Sequence, residues 1–281
     1  MTDPVFQLTR PAPADALPIV LDSPHSGTEY PADFGSVLDA AVRHYAEDCF
    51  VDRLYAGAPR LGATLLAARF ARLYIDPNRS VDDLDEQMFD EPWPVPLAPS
   101  QATRLGIGLI WRLCDGRPVY DRRLTIEEVR LRIERYWRPY HDALWAELDA
   151  THRRFGALWH LNVHAMTDDS YRLLGLPDSP LADFVLGDLD GTTADEATLA
   201  TLEGALRSHG FSVARNDPFK GQEIIRRSGR PAEGRRALLI EVKMSCYMDT
   251  ARHRLHDGFP RVTAALDAML QALAEHVRRQ L

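Results

Sequence analysis

Apolar and polar positions change period repeatedly along the chain, and each change marks an element. Pro18–Ser23 (PIVLDS) is a short apolar run that ends in the loop PHSG and reads as a buried strand. From Asp48 onward Val51, Leu54, Tyr55, Ala58 and Leu61 share one face at helical spacing, and Gly62 supplies a stop. Two more strands are predicted over Ala63–Ala68 and Arg72–Asp76, before the turn DPNR. Pro92, Pro94, Pro96 and Pro99 then exclude regular helix or central strand, so about 80–104 is a long surface excursion.

A strand at Ile107–Leu113 follows, and Thr125 with Glu128 three residues on makes a capping box that opens a helix. Pro139 removes a helical N–H, which predicts a kink or break and a second helical piece over about His141–Arg154. Leu158–Val163 (LWHLNV) is another buried strand and delivers His164 at its carboxyl end. Phe184–Leu186, Phe211–Arg215 and Ala237–Val242 (ALLIEV) read as strands, Asp195–Ser208 and Phe259–Arg279 as helices. This alternation predicts an α/β fold with a largely parallel or mixed sheet. No internal repeat or linker divides residues 1–281, so a single domain is expected.

Composition narrows the partners. With 45% hydrophobic and 26% charged residues the chain reads as an ordinary globular protein, and no apolar run approaches the roughly 18 residues of a membrane span. A net charge of −8 argues against tracking nucleic-acid phosphates. Six acids and no base lie between Arg79 and Arg104, however, so the rest of the chain has only two acids in excess. That leaves room for a locally positive pocket and a small anionic substrate. Cys49, Cys114 and Cys246 show no CxxC spacing, and MTDPVFQLTRP has no signal-peptide character; a reducing cytoplasm is expected.

In open α/β sheets, ligands gather beyond the carboxyl ends of the strands. The polar residues predicted there are His25, Asp76, Asn78, Arg79 and His164, with Glu241 inside ALLIEV. Two imidazoles and a carboxylate suit zinc with one position left open for water, and a free carboxylate can take that water's proton. No HExxH or HxxE pair is present, because Glu29 falls one residue too late after His25. An ionised Glu241 in a buried strand is costly unless it is paired or near a metal; the alternative is an edge strand with Glu241 in water. The planar guanidinium of Arg79 can grip a carboxylate through two parallel hydrogen bonds.

Taken in order, PHSG, EDCFVDRLY, DPNR, VYDRRLTIEEV with RPYHDAL, HAM, NDPFKG and IEVKMSCYMD resemble the N-formylglutamate amidohydrolase (N-formylglutamate deformylase) family, over about Ile19–Asp249. The resemblance implies a three-layer α-β-α sandwich with a mixed central sheet, zinc-carboxypeptidase-like (phosphorylase/hydrolase-like). It implies one zinc ion held by His25, His164 and Asp48, with Glu29 and Asp52 as alternative third ligands. Glu241 matches the general base, and Asn78 with Arg79 the pair that holds a substrate carboxylate. A dicarboxylate needs a further cation, for which Arg215, Lys220 and Arg226 are candidates; Lys220 is one of only two lysines beside thirty-one arginines.

The implied reaction is hydrolysis of N-formyl-L-glutamate to formate and L-glutamate, a step of histidine breakdown, with metal-bound water as nucleophile. Family members usually show DLHS where this chain has Asn162-Val163-His164-Ala165, and GG where it has Gly221-Gln222. Those departures keep two other readings open: a related zinc amidohydrolase or carboxypeptidase-like enzyme acting on another N-acyl amino acid or peptide, and a non-catalytic carboxylate-binding protein.

Overall fold

The computed structural model describes residues 4–281. Its strands are β1 (Phe6–Thr9), β2 (Ile19–Ser23), β3 (Thr64–Ala68), β4 (Leu113–Cys114), β5 (Arg117–Pro118), β6 (Leu158–Met166), β7 (Phe184–Gly187), β8 (Val213–Arg215), β9 (Arg235–Lys243), β10 (Met248–Asp249) and β11 (Arg254–Leu255). Seven of them build one sheet in the order β1-β3-β2-β6-β9-β7-β8, while β4-β5 and β10-β11 are small ribbons outside it. The strands β3, β2, β6 and β9 run parallel. At one edge β1 is antiparallel to β3, and at the other β7 turns antiparallel to β9 and carries β8 parallel to itself. The sheet is therefore mixed.

The helices are α1 (Ala40–His44), α2 (Val51–Leu54), α3 (Gln101–Arg104), α4 (Ile126–Arg132), α5 (Arg138–Phe155), α6 (Ser170–Leu173), α7 (Glu196–Ser208), α8 (Glu223–Ser228) and α9 (Gly258–Gln280). On α9, Val262, Ala265, Leu266, Met269, Leu270, Leu273 and Val277 recur at helical spacing and are buried with Leu199, Leu202 and Leu206 of α7. They cover one face of the sheet, against Leu21, Leu161, Val163, Ile240 and Val242. Each such buried aliphatic side chain contributes about 1.5–3 kcal/mol. The opposite face is covered by α5 and α8, with Tyr140, Leu144, Leu148 and Ile224 buried there, which completes three layers.

Several elements differ from their sequence prediction. Arg72–Asp76 is buried but forms turns instead of a strand: Tyr74 N–H donates to Ala71 O and Asp76 N–H to Leu109 O, which satisfies the backbone without a ladder. Ile107–Leu113 is reduced to a bridge between Ile107 and Trp111, with Leu113 opening the short β4. The break expected at Pro139 is a π-turn over Ile133–Trp137, in which Arg138 N–H donates to Ile133 O, and Pro139 sits in the first turn of α5. The capping box of Thr125 and Glu128 is formed. Within the excursion Leu84, Met88 and Phe89 are buried in the core on the α5 side, so it is pinned to the body of the protein. Among the described residues no helix is long and apolar enough to cross a membrane.

Candidate active site

Strand pleating divides β6 between two environments. Leu161, Val163 and Ala165 join the core under α7 and α9, so His160, Asn162 and His164 point to the α5–α8 side. Parallel register sets Asp22 of β2 beside Asn162 and Glu241 of β9 beside His164. A polar stripe thus crosses the middle of a buried sheet and ends at the carboxyl ends of β6 and β9.

His25 enters from the PHSG loop after β2. Gly27 is required in that loop, because a Cβ there would lie 2.3 Å from the backbone oxygen of Phe70. Asp48 is delivered by its own backbone, whose N–H donates to His25 O at 3.1 Å. Helical spacing suggests that Asp48 lies in the first turn of a helix and shares a face with Asp52. Instead Phe50 adopts a left-handed conformation, α2 begins at Val51, and Asp48 stays in the preceding loop.

His25, Asp48 and His164 are all buried and offer ligand atoms within 4.8 Å of one another. Asp48 Oδ2 lies 2.9 Å from His164 Nδ1 and 3.4 Å from His25 Nδ1. The outer nitrogen of each ring is held. His25 Nε2 bonds to Asp76 Oδ1 at 2.8 Å, and His164 Nε2 to Asn162 Oδ1 at 2.7 Å. With Nε2–H donating to a carboxylate, His25 Nδ1 carries a lone pair and has no hydrogen-bond partner. Glu241 Oε2 is likewise buried and unpartnered. Two imidazole nitrogens, of which that of His25 is orphaned, and a carboxylate oxygen fit a divalent metal ion with an open position.

The electrostatics separate the two carboxyl groups. Burial pushes Asp48 up, but His25, His164 and Arg72 outweigh it and hold the group far below the usual carboxylate range. Burial raises Glu241 well above its ordinary value, and the charge on Asp48 adds to the effect. Asp76 is also buried, yet Arg72 and His25 keep it well below normal.

The family model for N-formylglutamate amidohydrolase matches residues 17–248. The chain belongs to that family. It is therefore a hydrolase acting on an amide bond. A solved N-formylglutamate amidohydrolase from Ralstonia eutropha JMP134 is 48% identical and superposes with a TM-score of 0.96, covering 99% of this chain and 100% of the other. The N-formylglutamate deformylase of Pseudomonas putida is 30% identical over 92% of both chains, and that of Pseudomonas aeruginosa 31% identical over 83% of both.

Within this amidohydrolase framework the remaining predicted residues separate clearly. Asn78 Nδ2 donates to Asn162 Oδ1 at 3.3 Å, the oxygen that accepts from His164 Nε2, so Asn78 supports His164 through Asn162. Arg79 is 6% exposed and donates to the carbonyls of Ile107 and Asn78. Among the described residues it has no carboxylate within ion-pairing distance. Glu29 is turned outward onto Arg69, and Asp52 is not part of the buried group.

The three candidates for a second cation are not brought to the group. Arg215 lies beside Leu186 in register, hence on the α7–α9 face, where it pairs with Glu196 and Glu203. Lys220 follows β8, whose reversed direction carries the chain away from the carboxyl ends of β6 and β9; its ammonium is exposed and meets Asp190 at 2.8 Å. Arg226 is exposed on α8 and folds back onto Glu223. The cation that does reach the group is Arg72, in a segment predicted as a strand; it bonds Asp76 Oδ2 at 2.8 Å and approaches Asp48 Oδ1 at 3.4 Å. Asp22 was also missed as a supporting group: it accepts from His160, Asn162 and Tyr140 at 2.8, 3.0 and 2.9 Å. A charged residue inside IVLDS carries the same signal that singled out Glu241.

Proposed function

We propose that the protein hydrolyses the formamide of N-formyl-L-glutamate to formate and L-glutamate, with one zinc ion held by His25 Nδ1, Asp48 and His164 Nδ1. The observation that carries this reading is the unpartnered Glu241 carboxyl in a buried site where two oriented imidazoles and Asp48 converge. When bound, zinc supplies Lewis acidity toward the formyl oxygen and lowers the pKa of water to about 7. Glu241 accepts the proton of the attacking water and passes it to the leaving amine. Asp76 and Asn162 hold the two histidine rings in the tautomers that aim Nδ1 inward.

Arg79, buried without an acid partner, anchors a substrate carboxylate and so places the formyl carbon. Its charge is costly in isolation and is matched when a dicarboxylate binds. The departures at Asn162, Ala165 and Gln222 do not redirect the substrate reading. Asn162 spends its amide on Asp22 and His164, Ala165 faces the opposite core, and Gln222 precedes α8 as its N-cap. The names of the Pseudomonas and Ralstonia relatives support the same substrate. We assign the reaction to histidine breakdown in the cytoplasm, where the free thiols of Cys49, Cys114 and Cys246 are stable.

The test is formate release by the purified protein from N-formyl-L-glutamate, beside N-formylaspartate and N-acetylglutamate, with zinc content measured in parallel. The expected result is turnover of the first substrate by protein carrying zinc. A metal-loaded protein that turns over none of the three would sink the reading.

A further inference from the structure

We propose that His44, Glu47 and His253 form a second metal site, separate from the His25–Asp48–His164 group, which takes one divalent ion of the zinc class. The residues come from segments far apart in the chain. His44 ends α1, Glu47 lies in the turn after it, and His253 sits in the turn between β10 and β11. Their ligand atoms lie within 4.8 Å of one another.

The Glu47 side chain is 1% exposed. Its partners are Tyr30 OH, which donates to Oε1 at 2.7 Å, His44 Nδ1 at 2.9 Å from Oε2, and His253 Nε2 at 3.7 Å from the same oxygen. Among the described residues no lysine or arginine reaches it within ion-pairing distance, so only the imidazoles can match its charge. Yet the two rings stack at 4.0 Å with planes 27° apart, and charging both would set like charges face to face. A buried carboxylate with two stacked imidazoles and no lysine or arginine beside it is a setting that a divalent cation matches.

The spacing suits such an ion. Metal–ligand bonds of 2.0–2.2 Å in a tetrahedral shell set ligand atoms about 3.3 Å apart, and the distances of 2.9 and 3.7 Å lie on either side of that value. The side chains of His44 and His253 are 39% and 29% exposed, so the site is open on one side for water. The Cys49 thiol, 3.6 Å from the His253 ring nitrogens, is a further donor within reach. An ion here would tie the β10–β11 ribbon to the segment that carries Asp48.

Metal stoichiometry tests the site. Wild-type protein, loaded with zinc and freed of excess by gel filtration, is compared with His44→Gln, His253→Asn and His164→Ala by mass spectrometry of metal and protein, with circular dichroism to verify folding. Asparagine is chosen at 253 because that residue has a φ of 52° and asparagine tolerates it. The expected result is one equivalent that disappears in both His44→Gln and His253→Asn and survives in His164→Ala. Formate release by the first two variants should stay within twofold of wild type. A zinc content equal to that of wild type in either folded variant of the pair, or the loss of all zinc in His164→Ala, would overturn the proposal. Because the criterion is an ion that survives His164→Ala, its failure is distinguishable from failure of the N-formylglutamate reading.

Discussion

At the scale of single residues, the proposed general-base chemistry falls to Glu241. Its strand neighbours are apolar, its Oε2 has no partner, and the carboxylate of Asp48 raises its proton affinity on top of burial. A base that must take a proton from water and return it to an amine needs a proton affinity above that of an ordinary carboxylate. Glu241→Gln keeps the size of the side chain and removes this capacity. Zinc content should be retained while kcat for formate release falls by about 10²–10⁴; unchanged turnover would take Glu241 out of the mechanism. His25, His164 and Glu241 were legible in the sequence because each is a polar group where a strand or its end should be apolar. Asp48 is the preferred third ligand in the sequence with Glu29 and Asp52 as alternatives, and the structure brings only Asp48 to the two histidines, its N–H bonded to His25 O. Arg72 was hidden because nothing in its local sequence shows that its segment turns.

At the scale of elements, α5 and the π-turn before it hold the DPNR turn. His141 of α5 is 1% exposed, stacks on Trp137 at 3.7 Å and places Nε2 2.7 Å from Pro77 O, within the DPNR turn that carries Asn78 and Arg79. Burial pushes its pKa down to about 4, a direction that Arg227 reinforces and Asp22 opposes. The unfolded chain, whose histidine titrates near 6.5, therefore binds the proton first as pH falls. The contribution of His141 to stability is complete above about pH 6.5 and declines down to about pH 4, by about 2 kcal/mol between pH 7 and pH 5. In urea unfolding at those two pH values, His141→Gln should show a smaller pH dependence than wild type by about that amount. Equal dependence in both proteins would exclude His141 as the titrating group.

The same scale shows where sequence patterning is sufficient. The parallel strands β2, β6 and β9 are buried on both faces, so they stand out as apolar runs, and α7 and α9 as amphipathic periods. The direction of β7 has no such signature: an apolar run reads alike either way, and its reversal sends NDPFKG away from the carboxyl ends of β6 and β9. That single reversal accounts for the misplacement of Lys220, and the pleat of β8 for that of Arg215.

For the whole molecule, the charge and the metal are linked. Six of the eight excess negative charges belong to the excursion after Arg79. At the site itself, Asp48, Asp76 and Glu241 converge on Arg72, and Asp48 and Asp76 share that one guanidinium. Two histidines aimed at Asp48 moderate its charge only when protonated, so the native state gathers buried acids that a divalent cation would relieve. An ion that binds only the folded state stabilises it by about 4 kcal/mol when present at 1,000 times its Kd. At roughly 2–4 °C per kcal/mol for a chain of this size, stripping the metal with a chelator should lower Tm by roughly 10 °C. Calorimetry of the chelated protein with and without added zinc measures this directly. His164→Ala should lose most of that response, because its remaining ion would sit at Glu47 and leave Asp48 and Glu241 unrelieved. A wild-type Tm indifferent to zinc at millimolar concentration would show instead that Arg72 and the two imidazoles balance the site without an ion.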